Sequence, residues 1–205
     1  MKKGLFLIGL VAVIIAVYFI FFNKSDKPAD DGPKQQPLAQ GKNSEAFNTP
    51  FNAMLTTYYS LHDALVNWDT AQATAKAGAL QTSLTKIPFD SLKADPSVIM
   101  AAKSVAGNAA ADCVGITGDS SISEKRKSFY ELSENLYSLL QTVKYDQQVI
   151  YHIKCPMAFG DDKEAFWLSN QSAVVNPYLG NKHPKYKAAM MDCGEVQDSL
   201  DYRAK

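Results

Sequence analysis

Residues 121–140 read SISEKRKSFYELSENLYSLL, and this stretch predicts an amphipathic helix. Ser121 followed three residues later by Glu124 is the capping-box pattern that marks the N-terminus of a helix. Apolar residues then recur at three- and four-residue steps, which places them on one helical face. We expect five of them to be buried: Phe129, Leu132, Leu136, Leu139 and Val143.

Three further helices are predicted before this one. The first has Thr49 as its candidate cap and an apolar face that runs to Trp68; the second and third have Asp69 and Asp95 as caps. Short connections between helices of similar length favour antiparallel neighbours. The sequence therefore predicts an all-α, up-and-down four-helix bundle over residues 44–145.

The N-terminal residues predict a membrane anchor. Residues 4–22, GLFLIGLVAVIIAVYFIFF, contain no charge and match the roughly 20 residues that a helix needs to cross a bilayer. Bulky aromatic residues stand where a cleavage site would need small ones. We expect an uncleaved signal anchor over residues 1–22, with a cleaved signal peptide as the alternative. Residues 23–43 are rich in Pro, Gly, Gln and charge, and predict a flexible linker.

The charged residues predict the orientation of the chain in the membrane and argue against a nucleic-acid partner. Lys2 and Lys3 precede the apolar run and favour a cytoplasmic N-terminus. The expected location is the inner (cytoplasmic) membrane, single-pass, with the domain facing the periplasm or the cell exterior. The 205 residues contain 21 Lys and Arg against 21 Asp and Glu, so no basic footprint for phosphate backbones exists, and we expect no nucleic-acid partner.

The sulfur residues of the C-terminal segment, residues 146–205, form two pairs. The segment reads as irregular, with one short strand or extended stretch at its start. Cys155 and Met157 are two residues apart, so they point the same way in an extended chain. Met190 and Cys193 are three apart, so they share a face on a helical turn. Thiolates and thioethers are soft ligands that select Cu(I), and Ag(I) fits for the same reason.

Other interpretations of the same residues stay open. His183, His152 and Met191 are candidate additional ligands, and the histidines with Cys155 and Cys193 would suit zinc, although the usual zinc-site spacing is missing. In an extracytoplasmic domain the two cysteines could instead form a disulfide that closes a loop. A cysteine nucleophile would need a histidine and an orienting acid, and no local signature places them, so we expect no enzyme.

Four motifs in order carry a family resemblance: CPMA at 155–158, WLS at 167–169, NPYLG at 176–180 and MMDCGEV at 190–196. With the helix-rich half, they make the chain from about Phe51 to Leu200 resemble a domain of unknown function. That domain is found alone outside the cytoplasm, or fused to periplasmic adaptor subunits of heavy-metal efflux pumps.

The resemblance implies copper or heavy-metal handling rather than catalysis, with Cys155, Met157, Met190 and Cys193 as ligands. The expected function is an extracytoplasmic Cu(I) protein that acts as chaperone, buffer or accessory to copper efflux. The alternative is a structural interaction module closed by a Cys155–Cys193 disulfide.

Overall fold

The computed structural model describes residues 43–203, so the predicted anchor and almost all of the predicted linker lie outside the described residues. Within the described range, no helix is both long and apolar enough to span a bilayer. The elements, in chain order, are α1 Glu45–Val66, α2 Thr70–Thr85, a 3-10 turn Phe89–Ser91, α3 Pro96–Gly118, α4 Ile122–Val143, β1 Ile150–Cys155, β2 Ala165–Ser169 and β3 Glu195–Leu200.

Helix α1 begins earlier than its apolar pattern suggested. Its N-cap is Ser44, whose Oγ accepts a hydrogen bond from the Phe47 N–H at 3.3 Å. The prediction that Thr49 caps this helix is therefore wrong, and Pro50 lies inside the helix. The sequence misled because a polar residue followed by proline is also the usual helix-start pattern.

The other predicted helix starts are confirmed as N-cap positions, although the Asp95 side chain at the start of α3 makes no capping hydrogen bond. Asp69 caps α2 by accepting from the Gln72 N–H at 2.9 Å. Ser121 is the N-cap of α4, and its Oγ accepts from the Ser123 N–H at 3.2 Å. The predicted capping box is not formed, since Ser121 bonds the Ser123 N–H instead of the Glu124 N–H, and the Glu124 carboxylate pairs with Lys127 at 2.8 Å.

Helices α3 and α4 run antiparallel. The Asn135 amide donates to Asp112 at 2.6 Å, and the Lys125 Nζ donates to the Ile116 carbonyl at 2.5 Å. A residue nearer the C-terminus of α3 therefore bonds a residue nearer the N-terminus of α4. The five apolar residues predicted for the buried face of α4 are all at most 3% exposed.

Helix α4 also packs against α1, which closes the four helices into a bundle. The Tyr58 hydroxyl lies 2.7 Å from the Ser133 Oγ, and the Tyr58 ring stacks on Phe129 with centroids 5.2 Å apart. Seven residues further along α1, the Leu65 carbonyl accepts from Arg126 at 3.0 Å. The predicted helical bundle is confirmed.

The C-terminal segment corrects the all-α prediction, because it forms a three-stranded antiparallel sheet in the order β2-β1-β3. The extended stretch predicted at its start is β1. The strand β3 was missed for a physical reason: five of its six residues are exposed, so it lacks the apolar alternation that marks a half-buried strand. The segment is therefore more regular than expected, and its sheet packs on α4.

Candidate metal centre

Strand pairing brings Cys155 and Cys193 together. Cys155 is the last residue of β1, and Cys193 lies just before β3. Because β1 and β3 are antiparallel neighbours with Lys154 opposite Glu195, the end of β1 meets the start of β3. The two Sγ atoms are 3.9 Å apart, and both residues are free thiols.

The 3.9 Å separation between the two sulfur atoms can be compared with that of a disulfide and with that of two ligands of one metal ion. A disulfide bond joins two sulfurs at roughly 2.05 Å, so the thiols are paired without being bonded. Two thiolates that share one tetrahedral metal ion at about 2.3 Å lie about 3.8 Å from each other. The pair therefore has the spacing of two ligands of one ion.

Burial sets the protonation state of Cys193. Cys155 is fully buried, whereas Cys193 is half-buried. Burial, followed by the charge of Cys155, raises the pKa of Cys193 to about 11. Cys193 is therefore a neutral thiol at pH 7, and a metal that binds it must displace a proton. The third cysteine, Cys113, lies in the core on α3, where burial raises its pKa to about 12.

A fully buried asparagine from the NPYLG motif fixes the segment that carries Cys193. The Asn176 Nδ2 donates to the Cys193 carbonyl at 2.6 Å, and its backbone N–H donates to the Met191 carbonyl at 2.8 Å. Its Oδ1 accepts from the N–H groups of Tyr178 and Leu179 at 2.8 and 2.9 Å. A single residue thus joins two loop segments that are distant in sequence.

The position after Cys193 requires a glycine, Gly194. Its φ is +151°, a conformation that other residues rarely adopt. A Cβ at this position would lie 2.7 Å from the Lys154 carbonyl oxygen and 2.9 Å from the Trp167 ring. The chain can approach β1 closely enough to pair the thiols because no side chain intervenes.

The methionines occupy different places. The Met190 carbonyl accepts from the Cys193 N–H at 3.2 Å, so Met190 belongs to the turn that ends at Cys193. Met157 forms part of the wall of a cleft beside α4, together with Trp68 and Arg126. Met191 is half-buried, and its carbonyl accepts from the Asn176 N–H.

The candidate histidines have other partners. His152 is buried between the rings of Tyr137 and Phe166, at 4.1 and 4.6 Å, and its Nε2 lies 2.7 Å from the Glu134 carboxylate. His183 accepts at Nδ1 from two backbone N–H groups that follow it. In residues 43–203, no three His, Cys, Asp or Glu side chains converge as a metal site.

The NPYLG motif also attaches the loop to the end of α1, which sequence reasoning did not foresee. The Trp68 Nε1 donates to the Leu179 carbonyl at 2.9 Å, and the Arg126 Nε donates to the Pro177 carbonyl at 2.7 Å. A Cβ on Gly180 would lie 2.5 Å from the Val66 carbonyl oxygen. The NPYLG motif could be recognised in the sequence. Its contact with the end of α1 could not be predicted, because that contact depends on where α1 lies in the fold.

Residues 54–148 match the model of a family described as Protein of unknown function (DUF3347). The matched stretch extends from α1 to the residues before β1, so it contains most of the helical part and neither Cys155 nor Cys193. The four motifs of residues 155–196 lie outside it, and their link to copper efflux stays a prediction. Comparison with curated proteins found no match, and comparison with solved structures found none either.

Proposed function

We propose that this protein binds Cu(I) through the thiolates of Cys155 and Cys193. The observation that carries the proposal is the 3.9 Å separation of the two free sulfurs at the meeting point of β1 and β3. Met190, in the same turn as Cys193, is the candidate third ligand. Ag(I) is expected to bind in the same way, because it shares the preference for soft sulfur donors.

The donor set favours Cu(I) over zinc. A structural zinc site uses four ligands and a catalytic site uses three protein ligands. The described residues offer no group of three His, Cys, Asp or Glu side chains, whereas the Met190 thioether is a soft donor that suits Cu(I). His152 is held by Glu134 and by two rings, so its recruitment would break existing contacts.

The proposal concerns binding and not catalysis. Nucleophilic cysteines have depressed pKa values in electropositive surroundings. Burial has the opposite effect here, because it raises the pKa of Cys193 to about 11 and that of Cys113 to about 12. A neutral Cys193 thiol suits a site that exchanges a proton for a metal ion.

The biological role proposed for the site is that of a copper chaperone, buffer or accessory to heavy-metal efflux. Its support is the predicted N-terminal anchor, which would hold the domain at the outer face of the cytoplasmic membrane, and the motif resemblance at residues 155–196. Partners in this role would be membrane-embedded or periplasmic efflux components.

The same thiol pair supports the second candidate, an interaction module closed by a disulfide. Sulfurs 3.9 Å apart need only a small local movement to reach bonding distance in an oxidising compartment. Thiol quantification in protein isolated without reductant separates the two proposals. A quantitative Cys155–Cys193 bond would favour the module, whereas two free thiols would favour the metal site.

The direct test is an anaerobic titration of Cu(I) into the reduced, detergent-solubilised full-length chain, with a competing chelator to set the affinity. Tight binding near one ion per chain should disappear when Cys155 and Cys193 are both changed to Ala. Cys113→Ala is the matched control, because it removes a buried thiol outside the pair. Binding that survives in the double variant would overturn the proposed site.

A further inference from the structure

A concave site lies beside the N-terminal part of α4. It is a cleft of about 930 Å³, which is within the size range of small-molecule sites. Its aromatic walls include Tyr130, Phe159 and Tyr186, and Arg126 and Trp68 line it as well. Neither of the paired cysteines nor Met190 lines this cleft, although the candidate ligands Met157 and His183 do, so the thiol pair itself lies outside it.

The cleft contains a buried cation without a counter-charge. Arg126 is 4% exposed, and no carboxylate in residues 43–203 forms an ion pair with it. Its Nε and Nη2 donate to the carbonyls of Pro177 and Leu65, which leaves Nη1 without an acceptor in the described part of the chain. Buried arginines are ordinarily paired, so this arrangement can accommodate an anion.

The guanidinium is held in a fixed position. It lies over the Trp68 ring at 4.1 Å from the centroid, and the Trp68 Nε1 is itself bonded to the Leu179 carbonyl. Trp68 has a φ of +59°, a conformation that is uncommon for a bulky residue and that these contacts maintain. Burial lowers the pKa of Arg126 to about 10, so the group stays charged at pH 7.

The charges around the guanidinium also favour an anionic ligand. Lys127 is paired with Glu124, so two lysines of the lining, Lys163 and Lys185, remain against its two carboxylates, Glu131 and Glu164. Together with Arg126 they give the lining a positive balance. The aromatic walls add an apolar surface that a small inorganic anion could not cover.

We propose that this cleft binds a small organic acid, whose carboxylate pairs with Arg126 and whose apolar body packs against Tyr130 and Phe159. Nη1 has no acceptor in the described residues, so its N–H groups can donate to the carboxylate, and the low exposure of Arg126 strengthens that attraction. The site gives the protein a ligand-binding function separate from copper.

The test uses isothermal titration of the full-length chain with 3-phenylpropionate and with 3-phenylpropionamide, which differ in charge but share the apolar body. The carboxylate should bind at least about tenfold more tightly than the amide. Arg126→Met should lower the carboxylate affinity to that of the amide, and Phe159→Ala should weaken both ligands. Val114→Ala, at an exposed site on α3, should change neither.

Because Arg126 also bonds two backbone carbonyls, its variant has to be checked for native circular dichroism. If it fails to fold, the comparison of the two ligands on the unaltered chain and on Phe159→Ala decides. Equal affinity for the acid and the amide would overturn the proposal. So would the absence of binding at about 10 mM ligand, or binding that Phe159→Ala leaves unchanged.

Discussion

The Asn176 side chain donates a 2.6 Å hydrogen bond to the carbonyl of Cys193 and thereby fixes the backbone of a candidate metal ligand. The same side chain accepts from the N–H groups of Tyr178 and Leu179. Asn176 is fully buried, so water cannot replace these bonds. The position of Cys193 opposite Cys155 therefore depends on a residue that is itself no ligand.

Asn176→Ala should destabilise the protein by about 3 kcal/mol, because two buried backbone N–H groups and the half-buried Cys193 carbonyl lose their hydrogen-bond partners. Urea denaturation measures the loss, and Asn170→Ala, at an exposed site, is the matched control. Cu(I) affinity should also fall, since the Cys193 segment is no longer held. A variant as stable as the control would show that the bonds to Asn176 contribute nothing.

Gly180→Ala and Gly107→Ala should have opposite effects on the free energy of unfolding. Gly180 has a φ of +59°, and a Cβ there would meet the Val66 carbonyl oxygen at 2.5 Å and the Trp68 Nε1 at 2.7 Å. Gly107 lies within α3, where a Cβ would meet no atom within 4 Å, so alanine should add about 1 kcal/mol through helix propensity.

Thermal denaturation of the two glycine variants provides the measurement. We expect a lower midpoint for Gly180→Ala and a higher midpoint for Gly107→Ala than for the unaltered chain. Equal midpoints in all three proteins would mean that the NPYLG segment is not held tightly against the end of α1.

Two adjacent tyrosines on α1 give a matched pair. The Tyr58 hydroxyl accepts from the Leu168 N–H at 3.0 Å and pairs with Ser133, thereby linking α1, α4 and β2. The Tyr59 hydroxyl is buried without a hydrogen-bond partner in the described part of the chain. Tyr58→Phe should therefore cost about 1–3 kcal/mol, because the Leu168 N–H loses its acceptor and Ser133, which still donates to the Phe129 carbonyl, loses one partner. Tyr59→Phe should be neutral or stabilising.

Chemical denaturation of both tyrosine variants tests this difference between buried hydroxyls. A loss of stability in Tyr59→Phe as large as in Tyr58→Phe would contradict it. The comparison is independent of the proposed functions, because neither hydroxyl lies in the thiol pair or lines the cleft beside α4.

The sequence predicted those secondary-structure elements in which buried residues recur at a regular spacing. The apolar face of α4 is the clearest case, and the cap of α2 at Asp69 follows from local chemistry alone. The pairing of Cys155 with Cys193 was anticipated from side-chain chemistry, but its geometry comes from strand β3, whose exposed residues give no apolar signal. Asn176 was missed because its role depends on segments that meet only in the folded chain.

The affinity of the thiol pair for Cu(I) should depend on pH. Burial raises the pKa of Cys193 to about 11, so this thiol is protonated in the metal-free protein throughout neutral pH and must lose its proton when Cu(I) binds. The affinity should therefore rise with pH, by about tenfold per pH unit for each proton released. Anaerobic chelator competition at pH 6, 7 and 8, corrected for the protonation of the chelator, measures the slope.

Cys113→Ala should leave the slope unchanged, because that thiol lies outside the pair. Cys193→Ala should lower the affinity and reduce the slope by the contribution of its proton. An affinity that does not vary with pH would mean that Cu(I) is held by groups that release no proton. The methionines would then be the principal ligands, and the thiolate site proposed for Cys155 and Cys193 would be wrong.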